Sequence, residues 1–476
     1  MTLLKSYIDG RWVLPVSGRA RMDVINPATE ETVAEIAICE ADDVDLAVMA
    51  ARRAFADFGL TTYAERKVLV QKLIAIFERR YDEMVKAITT EMGAPFDLSH
   101  SSQAACGPGH LDATLQAADA LDWERKMGSS ANLLLEPVGV CVLITPWNWP
   151  INQLAAKIGP ALTAGCTIVL KPSEVSPLSA QLFAEFIDEA GFPAGVFNMV
   201  HGTGASVGNA LTSHPEVDMV SFTGSTKAGI MVAKSAADTV KRVSQELGGK
   251  SPNIVFADSD LEAAVERGVR HCFNNSGQSC NAPTRMLVEA SVYERVVEIA
   301  AKVAATVTLG DPMQPGPHLG PVVSKVQFDK IQHLIQVGID EGARVVAGGV
   351  GKPAGFERGY YVKPTIFADV TNQMTIAREE VFGPVLCLIP FADTDEAIAI
   401  ANDTPYGLAA YVQCADKDKA RYVARRIRAG SVHLNGAGQD YCSPFGGFKQ
   451  SGNGREWGEF GLHDFIEYKS VNGFYA

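Results

Sequence analysis

Cys280, Glu246 and Asn148 have types and neighbours that could do chemistry on a carbonyl compound. Cys280 ends a small, polar segment, residues 273–280, which favours a thiol at a pocket over a thiol in a core. The thiolate is the nucleophilic form, and because the ordinary pKa of Cys is about 8.5, the thiol needs a base or oriented backbone dipoles. Glu246 ends an apolar run before two glycines, a position typical of a general base at a strand end. The pair predicts nucleophilic catalysis assisted by a carboxylate.

Each of these residues also has an ordinary structural interpretation. A Cys is most often a small buried hydrophobe, and a Glu is most often a surface carboxylate. Asn148 lies two residues before Pro150, as a turn residue would. Their occurrence together in one chain favours the catalytic interpretation.

The elements that position these residues can be predicted from hydrophobic periodicity. Residues 43–58 and 65–92 place apolar side chains at three- and four-residue intervals, which predicts amphipathic helices. Beyond them, short apolar runs separated by helix-length segments predict strands buried on both faces of a parallel sheet. These runs are residues 138–144, 167–170, 196–200 and 219–222, and a run at 253–256 begins a second region. The pattern predicts an α/β fold whose first region is doubly wound.

Ligands of a doubly wound sheet bind at the carboxyl ends of its strands. The segments at those ends are residues 145–148, 171–174, 202–208 and 223–226. Gly204 and Gly208 lie in a Gly-x-Gly-x-x-x-Gly run, which lacks the spacing and the downstream acidic residue of the dinucleotide fingerprint. That run by itself indicates a strand-to-helix turn, and the other three segments remain candidate ligand sites.

The composition of this 476-residue chain argues against several classes of function. A net charge of −13 and the lack of a Lys/Arg-rich run argue against nucleic-acid binding. Nine cysteines show no Cys-x-x-Cys spacing and no metal-type Cys/His cluster, so we expect no disulfide framework, no metal and a reducing cytoplasmic location. No apolar stretch approaches the roughly 20 residues of a membrane span, so we expect a soluble protein without a membrane partner, of two or three domains.

Seven short segments match the motifs of one known family, in the family's order. They are residues 145–150, 171–174, 222–225, 246–250, 277–280, 379–384 and 444–449. Short motifs recur by chance, but seven in order span nearly the whole chain. On these segments the chain resembles the NAD(P)-dependent aldehyde dehydrogenase superfamily.

The resemblance implies a fold with three parts. They are a Rossmann-like doubly wound NAD-binding domain (residues 1–120 and 138–247), an α/β catalytic domain (248–450) and a small β oligomerisation region (121–137 and 451–476). In relatives, the hairpin of one subunit extends the sheet of its neighbour, so we expect a homodimer or, preferably, a homotetramer of two such dimers. The alternating pattern of residues 465–471 fits an exposed strand that needs a partner.

The resemblance also implies the reaction, the NAD-dependent oxidation of a small-molecule aldehyde to its carboxylic acid. Cys280 would attack the carbonyl, and the Asn148 amide and the Cys280 backbone N–H would stabilise the thiohemiacetal oxyanion. Hydride would leave for NAD, and Glu246 would activate the water that hydrolyses the thioester. Lys157 and Glu456 match positions that support proton transfer.

The NAD site implied by the resemblance draws on several segments. Gly224 and Ser225 start the helix that faces the pyrophosphate, Lys171 and Glu174 hold the adenosine ribose, and Glu380 meets the nicotinamide ribose. A carboxylate such as Glu174 accepts hydrogen bonds from ribose hydroxyls but repels a 2′-phosphate, so NAD is favoured over NADP. The full predicted set is Thr145, Pro146, Trp147, Asn148, Lys171, Ser173, Glu174, Gly204, Gly208, Phe222, Thr223, Gly224, Ser225, Glu246, Leu247, Gly248, Glu380 and Phe382.

The predicted substrate pocket differs from the pockets of relatives that oxidise small aliphatic aldehydes. Ala156 stands where many relatives place Trp and should open space, while Asn152 and Gln153 offer hydrogen bonds. The loop of residues 436–443 contains no Arg that would clamp a carboxylate. We therefore expect a larger or polar aldehyde, for example an aromatic one. The predicted lining is Trp149, Asn152, Gln153, Ala156, Ser279, Asn281, Asp440 and Phe445.

Three alternatives belong to other classes. A CoA-acylating semialdehyde dehydrogenase generally lacks the motif glutamate, whereas Glu246 is present. A thiol hydrolase without redox chemistry would need a Cys–His pair that the sequence does not indicate, and would leave the cofactor motifs unused. A structural or binding protein that has lost its enzymatic activity would have lost a catalytic residue, and none of the candidate catalytic residues is missing.

Overall fold

The computed structural model describes residues 2–16 and 20–475. Met1 and Ala476, the outer ends of two predicted domain ranges, lie outside the described residues. Its strands in chain order are β1 Thr2–Leu4, β2 Ser6–Ile8, β3 Arg11–Val13, β4 Arg21–Asn26, β5 Glu31–Ala37, β6 Glu124–Met127, β7 Ala131–Pro137, β8 Val140–Ile144, β9 Thr167–Lys171, β10 Phe197–Met199, β11 Met219–Thr223, β12 Arg242–Glu246, β13 Pro252–Val255, β14 Arg285–Glu289, β15 Thr308–Leu309, β16 His318–Leu319, β17 Arg344–Ala347, β18 Thr365–Ala368, β19 Val385–Phe391, β20 Ala409–Gln413, β21 Ser431–Leu434 and β22 Ile466–Val471.

Helices connect most of these strands. They are α1 Ala41–Phe58, α2 Tyr63–Arg79, α3 Tyr81–Met92, α4 Phe96–Leu98, α5 Cys106–Asp119, α6 Pro150–Ala164, α7 Pro177–Ala190, α8 Asn209–Ser213, α9 Thr226–Ala236, α10 Leu261–Phe273, α11 Tyr293–Ala305, α12 Lys325–Asp340, α13 Thr375–Arg378, α14 Thr394–Asn402, α15 Lys417–Ala424 and α16 Gly458–Asp464. Within the described residues, no helix is long and apolar enough to cross a membrane.

The predicted doubly wound region is a seven-stranded sheet in the order β12-β11-β8-β9-β10-β2-β3. Its first five strands are parallel and almost entirely buried, because helices cover both faces. The strands β2 and β3 add an antiparallel hairpin that the sequence analysis did not predict. Three-residue strands show too little periodicity to be recognised.

The second region is another seven-stranded sheet, in the order β17-β18-β19-β14-β13-β20-β21. All its strands are parallel except β17, which pairs antiparallel with β18. The last strand of the first sheet ends at Glu246 and the first strand of this one begins at Pro252. The carboxyl end of the first sheet therefore meets the amino end of the second around residues 247–251, the segment that follows Glu246.

One predicted helix, residues 65–92, is two helices in the structure. Arg80, with φ −104° and ψ 21°, separates α2 from α3. Its guanidinium binds Glu83 and also Glu185 on α7, at 2.7 and 3.0 Å. The apolar spacing continues across the break because both helices pack on α7. Periodicity alone therefore did not reveal the break between α2 and α3.

A three-stranded antiparallel sheet, β22-β7-β6, contains the C-terminal strand predicted from alternation. Residues of β22 are exposed along most of their length. The preceding helix α16, also placed by prediction in the oligomerisation region, packs on α5 and α6 beside the first sheet.

Candidate active site

The loop that carries Cys280 has a constrained backbone. Asn275, Ser276 and Gly277 have consecutive positive φ values of 54°, 55° and 73° between the end of α10 and the thiol. A Cβ at Gly277 would lie 2.0 Å from the carbonyl oxygen of Gly383, so this close approach requires glycine. The Ser276 hydroxyl donates to Gly320 O at 2.7 Å. These contacts fix the position of the thiol.

Asn148 is tied directly to this loop. Its Nδ2 donates to Gln278 O at 3.1 Å, and Asn275 Nδ2 donates to Asn148 O at 2.9 Å. Asn148 is 3% exposed and follows β8 of the first sheet, whereas Gln278 precedes Cys280 in the second region. An amide nitrogen carries two hydrogens, so one N–H of Asn148 remains for a ligand.

Two clefts meet at Cys280. A cleft of about 210 Å³ on the side of the first sheet and a cleft of about 350 Å³ on the opposite side are both lined by Cys280 and Gln153. Gln153 is buried, and its Oε1 has no hydrogen-bond partner in the described residues. A thiol at the junction of two clefts can react with a molecule in one while a second molecule lies in the other.

The first cleft contains ten of the predicted cofactor residues. They are Pro146, Trp147, Asn148, Thr223, Gly224, Ser225, Leu247, Gly248, Glu380 and Phe382. Gln327 and Lys330 of α12 also line it and were missed, because nothing in the sequence links this helix to the motifs. Gln327 Nε2 donates to Phe382 O at 2.8 Å and so supports the aromatic residue. The other predicted cofactor residues, Thr145, Lys171, Ser173, Glu174, Gly204, Gly208, Phe222 and Glu246, do not line this cleft.

Glu174 and Lys171 lie at the end of β9, where their side chains pair at 2.9 Å. Lys171 is buried and also donates to Pro172 O, while Glu174 is partly exposed. Gly204 and Gly208 bound a π-helical turn in which Thr203 accepts from Ser206 N. The predicted strand-to-helix turn is therefore present at this position.

The rim of the first cleft suits a dinucleotide. Gly224 and Ser225 precede α9, and the Ser225 hydroxyl caps this helix by accepting from Ala228 N at 3.3 Å. The positive end of a helix dipole and its free N–H groups favour a phosphate. Glu380 accepts one N–H from Gly249 at 2.9 Å through Oε1, and a Cβ at Gly248 would lie 2.5 Å from its Oε2. The cleft thus offers N–H groups that can donate hydrogen bonds to an anion at one end. At the other end it offers a carboxylate that can accept hydrogen bonds.

Glu246 is buried at the end of β12 and lines neither cleft. Neither of its carboxyl oxygens has a hydrogen-bond partner in the described residues. Burial, followed by the charge of Glu456, raises the pKa of Glu246 well above its ordinary value, and Lys157 and Arg455 oppose this effect. A carboxyl group with a raised pKa takes up a proton at a higher pH than an exposed carboxylate does.

Lys157 and Glu456 form a buried ion pair behind Glu246. The Lys157 ammonium also donates to Ser221 Oγ at 3.0 Å. The pair joins α6 to the C-terminal segment, which are far apart in the chain. Glu246, Lys157 and Glu456 thus form one cluster of ionisable groups.

The surroundings of Cys280 favour the neutral thiol. Burial, and then the carboxylates of Glu380 and Glu246, raise the pKa of Cys280, whereas the backbone N–H groups of Asn281 and Cys280 lower it. The thiol is therefore protonated at neutral pH in the cofactor-free site, and a base has to accept its proton.

The second cleft contains six of the eight predicted substrate residues. They are Trp149, Asn152, Gln153, Ser279, Asn281 and Phe445. Ala156 is buried on α6 away from the lining. Asp440 is exposed, and its carboxylate accepts the Cys442 backbone N–H at 2.8 Å instead of facing the cleft. Gln439 and Tyr441, which flank Asp440 in the sequence, line the cleft instead.

Several lining residues could not be recognised in the sequence. Cys106, His271 and Trp457 come from α5, α10 and the segment before α16. Behind them, buried His110 packs edge-on against Tyr441 at 4.6 Å, and its Nε2 lies 2.6 Å from Asn152 Oδ1. These contacts hold the aromatic wall and the Asn152 amide in place.

Known proteins match this chain over nearly its whole length in sequence and in structure. Residues 12–471 match the sequence profile of the aldehyde dehydrogenase family. A 3-succinoylsemialdehyde-pyridine dehydrogenase from a Pseudomonas species is 52% identical over 469 residues, covering 98% of each chain. The crystal structure of an aldehyde dehydrogenase from Bartonella henselae matches with a TM-score of 0.98 at 50% identity, over 99% of this chain and 100% of that one. A mutant of aldehyde dehydrogenase C from Pseudomonas syringae, solved with NAD+ and octanal, matches with a TM-score of 0.97 at 49% identity, over 99% and 97%. The chain belongs to the aldehyde dehydrogenase family and is an NAD-dependent oxidoreductase that acts on aldehydes.

Proposed function

We propose that Cys280 is the nucleophile of this aldehyde oxidation and that the two clefts hold the cofactor and the aldehyde. The observation that carries this proposal is the position of Cys280 at the junction of the clefts. When bound, NAD supplies the hydride acceptor. Turnover of NAD with a panel of aliphatic, aromatic, amino and semialdehyde substrates tests the proposal, since purified protein that reduces NAD with none of them would contradict it.

The oxyanion formed by attack on the carbonyl carbon needs hydrogen-bond donors. We assign this role to the free N–H of the Asn148 amide and to the backbone N–H of Cys280. The hydrogen bond from Asn148 to Gln278 O holds the amide before the substrate arrives. Donors that are already oriented cost no reorganisation during reaction and stabilise the developing charge.

The acyl group left on Cys280 is a thioester, and its hydrolysis needs an activated water. Glu246 is the base in our proposal, because its raised pKa and unpartnered oxygens fit a group that takes up a proton. As placed, the carboxyl group lies behind the clefts, so it has to turn toward Cys280 or act through a water. Lys157 and Glu456 would then carry the proton away from the site.

The aldehyde in our proposal has a long polar or aromatic chain. The second cleft combines aromatic side chains, among them Trp149 and Tyr441, with the amides of Asn152 and Gln153. A relative named for a pyridine-bearing semialdehyde and a neighbour that binds octanal both take extended aldehydes. A cleft of about 350 Å³ also exceeds what acetaldehyde would fill.

NAD should be used more efficiently than NADP because of Glu174. We expect Glu174→Ser to narrow the ratio of kcat/KM for NAD over NADP by about tenfold or more, since like-charge repulsion of the 2′-phosphate is removed. Glu174→Asp keeps the charge and serves as the control. Initial rates with each cofactor measure the ratio, and an unchanged ratio in Glu174→Ser would assign cofactor choice to another residue.

The oligomeric state is also part of the proposal. In the described residues β22 pairs only with β7, and β21 pairs only with β20, so each leaves one open edge. An open edge strand recruits another strand, and a neighbouring subunit can supply it. We infer a homodimer or homotetramer, located in the cytoplasm.

Removal of β22 should disrupt this assembly. We expect a chain that ends at Leu462 to be aggregated or inactive, because β7 loses one of its two neighbouring strands and the proposed subunit interface is lost. A chain that ends at Val471 keeps β22 and is the control. Light scattering at micromolar concentration measures the mass, and a stable, fully active monomer of the intact protein would refute the assembly.

A further inference from the structure

The Asn152 side chain lies in the wall of the second cleft, where the aldehyde is proposed to bind. It is on α6, three residues after Trp149, and both side chains line the cleft. Trp149 is itself fixed beside the reacting thiol, because its Nε1 donates to Ser279 Oγ at 2.8 Å. A substrate chain that extends from Cys280 along these side chains therefore meets the Asn152 amide.

One end of this amide has a partner in the described residues and the other end does not. The Asn152 Oδ1 lies 2.6 Å from Nε2 of His110 on α5, whereas the Asn152 Nδ2 donates to no group in the described part of the chain. Because a carbonyl oxygen has no hydrogen to give, the imidazole is the donor and its proton is on Nε2. Nδ2 keeps both of its N–H groups, and the partly exposed side chain presents them to the cleft.

The imidazole of His110 is enclosed by aromatic rings. It is buried and packs against the rings of Tyr441 and Trp457, with ring centroids 4.6 and 5.0 Å apart. Tyr441 sits directly against α5, where a Cβ at Gly109 would lie 2.5 Å from its ring. These contacts leave the imidazole little room to turn, so Nε2 stays directed at the Asn152 amide.

The imidazole is also uncharged at neutral pH. Burial lowers the pKa of His110 to about 4, although the hydrogen bond with Asn152 opposes this effect. A neutral imidazole has one N–H, and the contact with Asn152 Oδ1 uses it. The hydrogen bond therefore fixes one orientation of the amide, in which its donors and not its acceptor face the cleft.

The lining of the second cleft offers no counter-ion to a charged substrate. Among the described residues, it contains no Asp, Glu, Lys or Arg. His271, which also lines the cleft, is uncharged at neutral pH, because burial and then His433 lower its pKa to about 4. An ionised group that entered this cleft would lose its hydration without gaining an opposite charge, and that transfer is unfavourable. The cleft therefore suits an uncharged molecule.

We propose that His110 orients the Asn152 amide so that the substrate cleft selects an uncharged aldehyde with a hydrogen-bond acceptor in its chain, such as a ketone or ester carbonyl. This inference rests on the proposed function and narrows its substrate class. Asn152 donates to the acceptor, and His110 is a positioning residue that acts through Asn152. A methylene group at the same place would displace water and leave the two N–H groups without a partner, which disfavours a plain alkyl chain.

A matched set of aldehydes tests this selection. At saturating NAD, kcat/KM is measured for octanal and for octanals that carry a keto group at carbon 4, 5, 6 or 7. The measured quantity is the ratio of each keto aldehyde to octanal, so a general loss of activity in a variant cancels. We expect a ratio of about five or more for at least one position in the wild-type protein, within the range of one neutral hydrogen bond. Asn152→Leu should bring that ratio to about one, through a higher KM for the keto aldehyde.

Three further variants separate the orientation of the amide from the packing of His110. His110→Phe keeps an aromatic ring beside Tyr441 but has no N–H, so we expect its ratio to fall as in Asn152→Leu. His110→Gln places an N–H close to the position of Nε2 and should restore most of the ratio. Thr114→Val is the control, because it removes a hydroxyl that donates to the His110 backbone O at 2.8 Å and leaves the imidazole in place. Its ratio should match that of the wild-type protein.

The outcomes that contradict this inference are distinct from those that contradict the proposed function. Ratios near one for every keto aldehyde in the wild-type protein, or a ratio that survives in Asn152→Leu, would overturn the selection. A ratio kept in His110→Phe, or lost equally in His110→Gln, would overturn the positioning role of His110. In each of these cases oxidation of octanal leaves the proposed function intact. Failure to oxidise octanal and every keto aldehyde alike would contradict that function instead.

Discussion

Cys280→Ala should reduce aldehyde oxidation by at least about 10⁴-fold while NAD binding stays close to that of the wild-type protein. In the proposed mechanism the thiol forms the covalent bond to the substrate, so its removal leaves no route to the thioester. It does not reach the adenosine half of the cofactor, for which Lys171 and Glu174 are the proposed contacts. Steady-state NADH formation measures the activity, and fluorescence titration measures the affinity for NAD. Substantial residual turnover would remove Cys280 from the mechanism.

Alkylation can identify the same thiol independently. Seven of the nine cysteines are buried, Cys280 is partly exposed and Cys442 is exposed. Cys442 would therefore take up iodoacetamide without affecting the chemistry, so labelling is best done in a Cys442→Ser background. There we expect one equivalent of label at Cys280, in proportion to the activity lost. Label at Cys280 with full activity retained would argue against its role.

Glu246→Gln should slow turnover by about 10²- to 10⁴-fold and leave a burst of NADH in the first turnover. Gln keeps the size of the side chain but cannot accept a proton, so the thioester forms and is hydrolysed slowly. Stopped-flow absorbance separates the burst from the steady state. Glu456→Gln is a useful comparison, because it removes a neighbouring carboxylate without removing the proposed base. Equal loss in burst and steady-state rates would instead assign Glu246 to thiol activation.

The pH dependence follows from the direction of the two pKa shifts. In the proposed mechanism Glu246 acts as a base in its carboxylate form and Cys280 attacks as a thiolate, and both pKa values are raised. Turnover should therefore be low in mild acid and rise as pH increases through each raised pKa. In Glu246→Gln, the part of the pH dependence of the thioester hydrolysis rate that comes from Glu246 should disappear. The rate of hydride transfer in a single turnover should still rise with pH.

The sequence by itself determined the family, the α/β fold class and the reaction, which the comparisons confirm. It did so because the family's motifs are short segments of local sequence, of which those with Asn148 and Glu246 follow or end predicted strands and the one with Cys280 lies beyond a predicted helix-length segment. The turn after β8 that carries Asn148 and the end of β12 at Glu246 lie where buried apolar runs placed them. Periodicity reports only local burial. It therefore predicted a single helix where α2 and α3 are separated at Arg80, and it did not predict the short strands β2 and β3.

Tertiary structure alone decided how the segments meet. Cys280 and Gln153 are distant in sequence, yet together they line both clefts. Gln327 supports Phe382 from α12, and His110 on α5 holds Asn152 in place. Ala156 and Asp440, both predicted in the substrate pocket, lie outside its lining.

The substrate end of the site was the least predictable part for the same physical reason. Its walls come from α5, α6, α10 and the C-terminal segment, whose packing depends on long-range contacts that leave no local pattern. His271 illustrates this, since in the sequence it is one polar position on an amphipathic helix. Only the fold places it in the lining of the second cleft, with its ring edge-on against Tyr411.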